Sequence, residues 1–214
     1  MSRPPLSGLY GITPQSLLDS DRALLAAVTA ALEGGMRWLQ YRAKHPDRPT
    51  RLRQAEALSR LCRDHGAGFI VNDDPELALQ VDADGVHLGR EDGSIERARD
   101  RLGDAFLLGA SCYNEPERAL AASAAGADYI AFGRFFPSRT KPQAVQADPA
   151  LLAWARRETG LPVCAIGGIT LDNVGLLLDQ GADLLAVVDG LFSADNIRER
   201  ARAFSYLFGH QPGG

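Results

Sequence analysis

Between residues 40 and 44 the chain reads Gln-Tyr-Arg-Ala-Lys. On an extended backbone alternate side chains share a face, so Gln40, Arg42 and Lys44 project together. An amide and two cations aimed at one point suit a polar or anionic ligand better than a solvated strand end. Asp73 and Asp92 stand in two further polar runs, Asn72-Asp73-Asp74 and Arg90-Glu91-Asp92. Carboxylates without cysteines or a histidine pair make a hard-oxygen site, suited to Mg²⁺ held by one or two carboxylates, waters and substrate phosphates. The competing reading of each Asp is a helix N-cap, and Asp74, directly before Pro75, is expected to be one. Ser138, Arg139, Thr140 and Lys141 follow Pro137, and two hydroxyls with two cations suit capture of phosphate or carboxylate. Gly167-Gly168 and Val188-Asp189-Gly190 can offer backbone N–H groups to a phosphate, or can be tight turns. Ser111 has no histidine in a recognisable triad pattern, so it is expected to hydrogen-bond or to turn the chain rather than attack. Cys112 lacks a neighbour that would lower its pKa and is expected to be packing. His87 is assigned no role.

The elements that must position these groups alternate along the chain. Strands are expected at Gly8–Thr13, Met36–Arg42, Gly68–Asn72, Gly85–Leu88, Phe106–Ala110, Tyr129–Gly133, Val163–Ile166 and Leu184–Val188. Most are apolar on both faces, as strands packed inside and covered by helices outside must be. Helices are expected at Asp21–Glu33, Arg51–His65, Pro75–Gln80, Ser94–Leu102, Pro116–Ala125, Pro149–Glu158, Asp172–Gln180 and Ala194–Phe208. Asp148 and Asp172 read as N-caps, and Gly66, Gly126, Gly160 and Gly181 stand just past helix ends, where a left-handed residue is wanted. The segments EGGMRWLQYR, VDADGVHLG, AAGADYIAFG and DQGADLLAVV each read as helix end, turn, then strand. Eight βα units in 214 residues point to a compact α/β (β/α)8 TIM barrel, with a doubly wound open sheet as the alternative. One domain over residues 1–208 is expected, with 209–214 as a frayed tail. Barrel chemistry belongs at the carboxyl ends of the strands, which is where these polar clusters fall. The 134–147 connection is long enough for a lid or binding element.

With 23 Lys and Arg against 27 Asp and Glu, the net charge of −4 argues against general nucleic-acid binding. It also demands that cations be concentrated wherever an anion sits. Three separated cysteines, no signal-like opening and no membrane-length apolar run are read as a cytoplasmic chain with buried thiols.

The stretches GLYGITP, LQYRAK, IVNDDPELAL, ADGVHLGREDG, LLGASCY, ADYIAFGRFFPSRTKP and VCAIGGITLDN, in that order, make the chain resemble the thiamine phosphate synthase family over nearly its whole length. The resemblance implies a transferase joining 4-amino-2-methyl-5-pyrimidinylmethyl diphosphate to a (carboxy)thiazole phosphate, giving thiamine phosphate and diphosphate. It implies that Gln40, Tyr41, Arg42, Ala43, Lys44, Asn72, Ser111 and Lys141 contact the pyrimidine diphosphate, with Arg42 and Lys141 assisting its departure. It likewise implies that Asp73 and Asp92 hold one Mg²⁺ per subunit, and that Ser138, Arg139, Thr140, Gly168, Val188 and Asp189 meet the thiazole phosphate. Asp189 departs from the family's usual Ser. Its backbone N–H is expected to face the phosphate while its side chain caps the last helix or meets a cation. Ser138-Arg139 replaces the more common double threonine. Partners are expected to be small phosphorylated molecules, without nucleic acid or membrane, and a homo-oligomer stays open. The rivals are a thiazole tautomerase, from which Tyr113 departs where a histidine belongs, a phosphosugar isomerase or epimerase, and a non-catalytic phosphate-ligand barrel.

Overall fold

The computed structural model describes residues 3–44, 47–137 and 145–209. Eight parallel strands close into a barrel in chain order: β1 (Gly8–Ile12), β2 (Trp38–Tyr41), β3 (Gly68–Asn72), β4 (Gly85–Leu88), β5 (Leu107–Tyr113), β6 (Tyr129–Phe132), β7 (Val163–Ile166) and β8 (Leu184–Val187). The last strand pairs with the first, Leu184 opposite Gly8 and Val187 opposite Gly11. Helices α1 (Asp21–Glu33), α2 (Arg48–Asp64), α3 (Pro75–Gln80), α4 (Ile95–Leu102), α5 (Pro116–Ala124), α6 (Ala150–Thr159), α7 (Gly175–Asp179), α8 (Asp189–Phe192) and α9 (Ile197–Gly209) form the outer layer. The open-sheet alternative is excluded by the closure.

Two cores follow from the two-residue period of the strands. Inside the barrel Tyr10, Ile12, Trp38, Ile70, Tyr129, Ala131, Cys164, Leu184 and Ala186 pack together. Their strand neighbours, among them Leu9, Leu39, Val71, Leu108, Ile130 and Leu185, pack outward against the helices. Trp38 fills the amino-terminal end of the barrel, its indole N–H donating to Pro5 O at 2.9 Å. All three cysteines are buried and unpaired. Burial pushes the Cys112 thiol up to about 12 and the other two upward as well. They are packing residues rather than nucleophiles.

The structure departs from the sequence expectations in several places. Strand β5 runs past Ala110 to Tyr113, with a register irregularity opposite β6 between Ser111 and Tyr113. Alternation therefore continues, Cys112 outward and Ser111 inward. Helix α2 begins three residues early, because the Asp47 side chain accepts from Thr50 N at 2.8 Å and Pro49 occupies the first turn. Asp172 is not an N-cap: α7 starts only at Gly175, behind Val174 and without a side-chain cap, while Asn173 ties the preceding turn, accepting from Thr170 N and donating to Gly168 O, both at 2.9 Å. An additional short helix, α8, starts at Asp189, so nine α-helices rather than eight stand among the described residues. Gly209 closes α9 instead of opening the tail. Asp74 caps as expected, accepting from Leu77 N, whereas the N-cap of α6 is Pro149 and Asp148 stands one residue earlier, its carboxylate accepting from Ala150 N. Gly66, Gly126, Gly160 and Gly181 all have positive φ.

Candidate active site

Two contiguous cavities open at the carboxyl ends of the strands, one of about 560 Å³ and one of about 700 Å³. Arg42, Asn72, Ser111, Tyr113 and Gly133 line both and form the divide between them. The smaller cavity is polar and adds Lys44, Asp73 and Asp92. The larger one reaches down to Tyr10, Gln40 and His87 and across to Gly168, Val188 and Asp189.

The alternation predicted for residues 40–44 holds for side-chain direction. Gln40 and Arg42 enter the mouth, and Lys44 lines its polar half. Tyr41 does not: its ring is buried behind the sheet and its hydroxyl donates to Gln54 Oε1 at 2.8 Å. Ala43 likewise packs against the outer core. For these two the implied ligand contact is corrected to the backbone at most. Arg42 is anchored from below, since Thr13 Oγ1 accepts from Arg42 N at 2.9 Å and donates to Arg42 O at 3.2 Å. Thr13 is 2% exposed and was not singled out by sequence, because nothing in β1 indicates which strand end its hydroxyl will meet.

Asp73 and Asp92 come together in the smaller cavity. Asp73 stands at φ 64°, a left-handed position a short polar residue tolerates. Partial burial in the cleft, with the adjacent Asp92 carboxyl, pushes the Asp73 carboxyl up to about 6, against opposing effects of Asn72 and Arg42. Asp92 is oriented by Gly89 N, which donates to its Oδ2 at 2.9 Å. Two carboxylates held this close repel unless a proton or a cation lies between them. The described residues contain no group of three potential ligands, so the donor set fits a Mg²⁺ that takes its remaining ligands from water and substrate oxygens.

On the opposite wall Gly167 and Gly168 have φ 104° and 65°. A Cβ on Gly168 would collide with the carbonyls of Pro137 and Phe136, so only glycine lets this turn lie against the chain leaving β6. Asp189 is exposed at the rim of the larger cavity, and the Val188–Asp189 junction opens α8. The cap of α9 is Asn196, which accepts from Glu199 N at 3.1 Å. The expectation that Asp189 caps the last helix is therefore wrong. Ser138, Arg139, Thr140 and Lys141 lie outside the described residues.

Ser111 also needs a correction, because a histidine does stand beside it. His87 Nε2 is 2.9 Å from Ser111 Oγ, and His87 Nδ1 is 2.9 Å from Tyr129 Oη. Tyr129 in turn contacts Tyr10 Oη at 2.9 Å, and Gln40 Nε2 donates to Tyr10 at 2.8 Å. His87, Tyr129 and Tyr10 were missed as polar partners because each is one inward residue on its own strand. Only barrel closure brings β1, β2, β4, β5 and β6 to one line.

The family model described as thiamine monophosphate synthase matches residues 9–191. The chain belongs to that family. It is 54% identical over 206 residues to a thiamine-phosphate synthase of Chromobacterium violaceum, covering 96% of this chain and 98% of the relative. It is 53% identical over 203 residues to one of Aromatoleum aromaticum, covering 95% and 97%. Among solved structures, thiamine phosphate pyrophosphorylase from Pyrococcus furiosus superposes with a TM-score of 0.85 at 34% identity, covering 95% of this chain and 96% of that one. No helix among the described residues is long and apolar enough to cross a membrane.

Proposed function

We propose that this chain is a thiamine-phosphate synthase, condensing the pyrimidinylmethyl diphosphate with a (carboxy)thiazole phosphate to give thiamine phosphate and diphosphate. The observation that carries the reading is Arg42, fixed at the divide between an acidic, Mg²⁺-suited cavity and a glycine-walled one. That arrangement suits a diphosphate beside a metal and a second phosphate across the mouth. The names of the relatives, over nearly full length, favour this reading over a tautomerase or a non-catalytic barrel.

Asp73 and Asp92 would hold Mg²⁺, which when bound supplies positive charge to the departing diphosphate. Arg42 donates to the same oxygens, with Lys44 beside it and, from the sequence, Lys141. The pyrimidine amino group pushes electrons into its ring as the carbon–oxygen bond breaks, and that bonding pair leaves with diphosphate. The thiazole nitrogen lone pair then forms the new carbon–nitrogen bond, with loss of CO2 from the carboxylated substrate. No protein nucleophile takes part. The chain's work is electrostatic preorganisation and holding the two substrates in line. Gly168, the Val188–Asp189 backbone and Ser138, Arg139 and Thr140 are the proposed thiazole-phosphate contacts. A cytoplasmic location accords with the buried, unpaired thiols.

Incubation with both substrates, following thiamine phosphate with Mg²⁺ and with EDTA, tests the reading. Metal-dependent product is expected. Tight binding of thiamine phosphate without turnover of the substrate pair would replace it with a sensor.

A further inference from the structure

The chain of contacts Gln40–Tyr10–Tyr129–His87–Ser111 crosses the barrel interior on five different strands and ends at the cavity. Its direction follows from what each group can give and take. Gln40 Nε2 is an obligate donor, so the Tyr10 oxygen accepts and its own proton passes to Tyr129. Tyr129 then gives its proton to His87 Nδ1. A neutral imidazole that accepts at Nδ1 carries its proton on Nε2 and donates it to Ser111 Oγ. The Ser111 proton is left pointing away from His87, into the cavities that Ser111 lines.

The opposite arrangement strands a proton. With hydrogen on His87 Nδ1, Tyr129 must donate to Tyr10, which already accepts from Gln40. The Tyr10 hydroxyl then lacks an acceptor along the chain at a side chain only 2% exposed, an unmade bond that burial makes costly. Both phenols keep their protons, since burial pushes both well above the ordinary tyrosine range. The packing is built around this contact. A Cβ on Gly109 would fall on the Tyr129 ring and crowd His87 Nδ1, so glycine is what lets the two meet.

We propose that these residues form a one-way hydrogen-bond relay that holds His87 as its neutral Nε2–H tautomer and presents the Ser111 O–H as a donor to a substrate phosphate oxygen. Tyr10, Tyr129 and His87 are then positioning residues, and Ser111 is an anion donor rather than a nucleophile. The anion's identity rests on the synthase reading above, whereas the relay itself does not.

The experiment is ¹⁵N NMR of histidine-labelled enzyme, with His87 assigned by its loss in His87→Asn, beside binding of inorganic diphosphate with Mg²⁺. Wild type is expected to show protonated Nε2 and a lone pair on Nδ1. Gln40→Glu replaces the obligate donor by an acceptor and is expected to switch His87 to Nδ1–H. Tyr129→Phe, or Tyr10→Phe should the former misfold by circular dichroism, is expected to unfix the tautomer and weaken diphosphate roughly tenfold, the worth of a hydrogen bond to a charged group. In a Ser111→Ala background the same change should weaken it no further. An equal loss there would make the tyrosine merely structural and overturn the relay, as would Nδ1–H or doubly protonated His87 in active wild type. Nε2–H in a protein that makes no thiamine phosphate would sink the synthase reading and leave the relay standing.

Discussion

Asp73 holds its proton more tightly in the folded, metal-free protein than an ordinary carboxyl does, at about 6 against 3.8. The native state therefore binds more protons than the unfolded chain between those values. This group favours folding below about pH 4 and loses that contribution as pH rises through 6. Asp73 is only partly buried at the open cleft, so solvent keeps the effect small. Asp92→Asn removes the facing charge while keeping an oxygen for Gly89 N. In EDTA this variant is expected to melt higher than wild type at pH 7.5 and to lose the advantage near pH 4, by calorimetry at both values. For turnover the order of importance follows charge. Arg42→Ala and Asp73→Ala are expected to lower kcat about 10²-fold or more, as for removal of a donor to developing charge. Ser111→Ala should cost roughly tenfold. Steady-state rates on saturating substrates distinguish these, and equal minor losses would remove diphosphate departure as the assisted step.

The αβ turns show how one repeated residue orders the barrel. Asp84, Asp128 and Asp183 each precede an even-numbered strand, and each accepts from the odd-numbered strand before it. Asp84 takes Phe69 N at 2.8 Å, Asp128 takes Leu108 N at 2.7 Å and Asp183 takes Val163 N at 2.9 Å. An arginine holds each carboxylate: Arg3, Arg99 and Arg156. These solvent-reached ion pairs, of which Arg99–Asp128 is the most covered, matter less than the strand N–H that would otherwise be orphaned. Asp128→Ala is expected to cost about 1–3 kcal/mol in chemical denaturation with kcat unchanged, because the turn lies at the end of the barrel opposite the cavities. Gly168→Ala belongs to the other end. A left-handed φ and the Pro137 carbonyl both oppose the methyl, so the β7 turn must shift, with weaker binding of the thiazole phosphate as the measured result.

An acidic molecule of net charge −4 can hold two anions only if cations converge at the mouth. Alternation past β2 brings Arg42 and Lys44 to one opening, and barrel closure sets them across from Asp73 and Asp92. Mg²⁺ and diphosphate are expected to bind together. At a hundredfold excess over Kd the pair should add about 2.7 kcal/mol of stability, raising Tm by roughly 5–10 °C for a chain of this size. Either one alone should do far less, by differential scanning fluorimetry, and both effects should shrink as salt screens the mouth.

Periodicity and turn residues were enough to lay out eight strands, their order and the strand ends where polar residues gather, because each is a local property of the backbone. Gln40, Arg42, Asp73 and Asp92 were legible for that reason: type and strand-end position together define them. Strand ends were less legible where polar residues continue an alternation, as at Ser111–Tyr113, and where a cap lies in a charged loop, as at Asp47. The family resemblance misdirected Tyr41 and Ala43, whereas the strand alternation had already placed them on the face opposite Gln40, Arg42 and Lys44, toward the helices. The link from Gln40 through Tyr10, Tyr129 and His87 to Ser111 was beyond reach of the sequence, since its members are separated by up to 119 residues. Which hydroxyl meets which ring nitrogen depends on the diameter of the closed barrel and on a glycine that leaves room at its centre. Those are distances across the fold, and only the tertiary structure sets them.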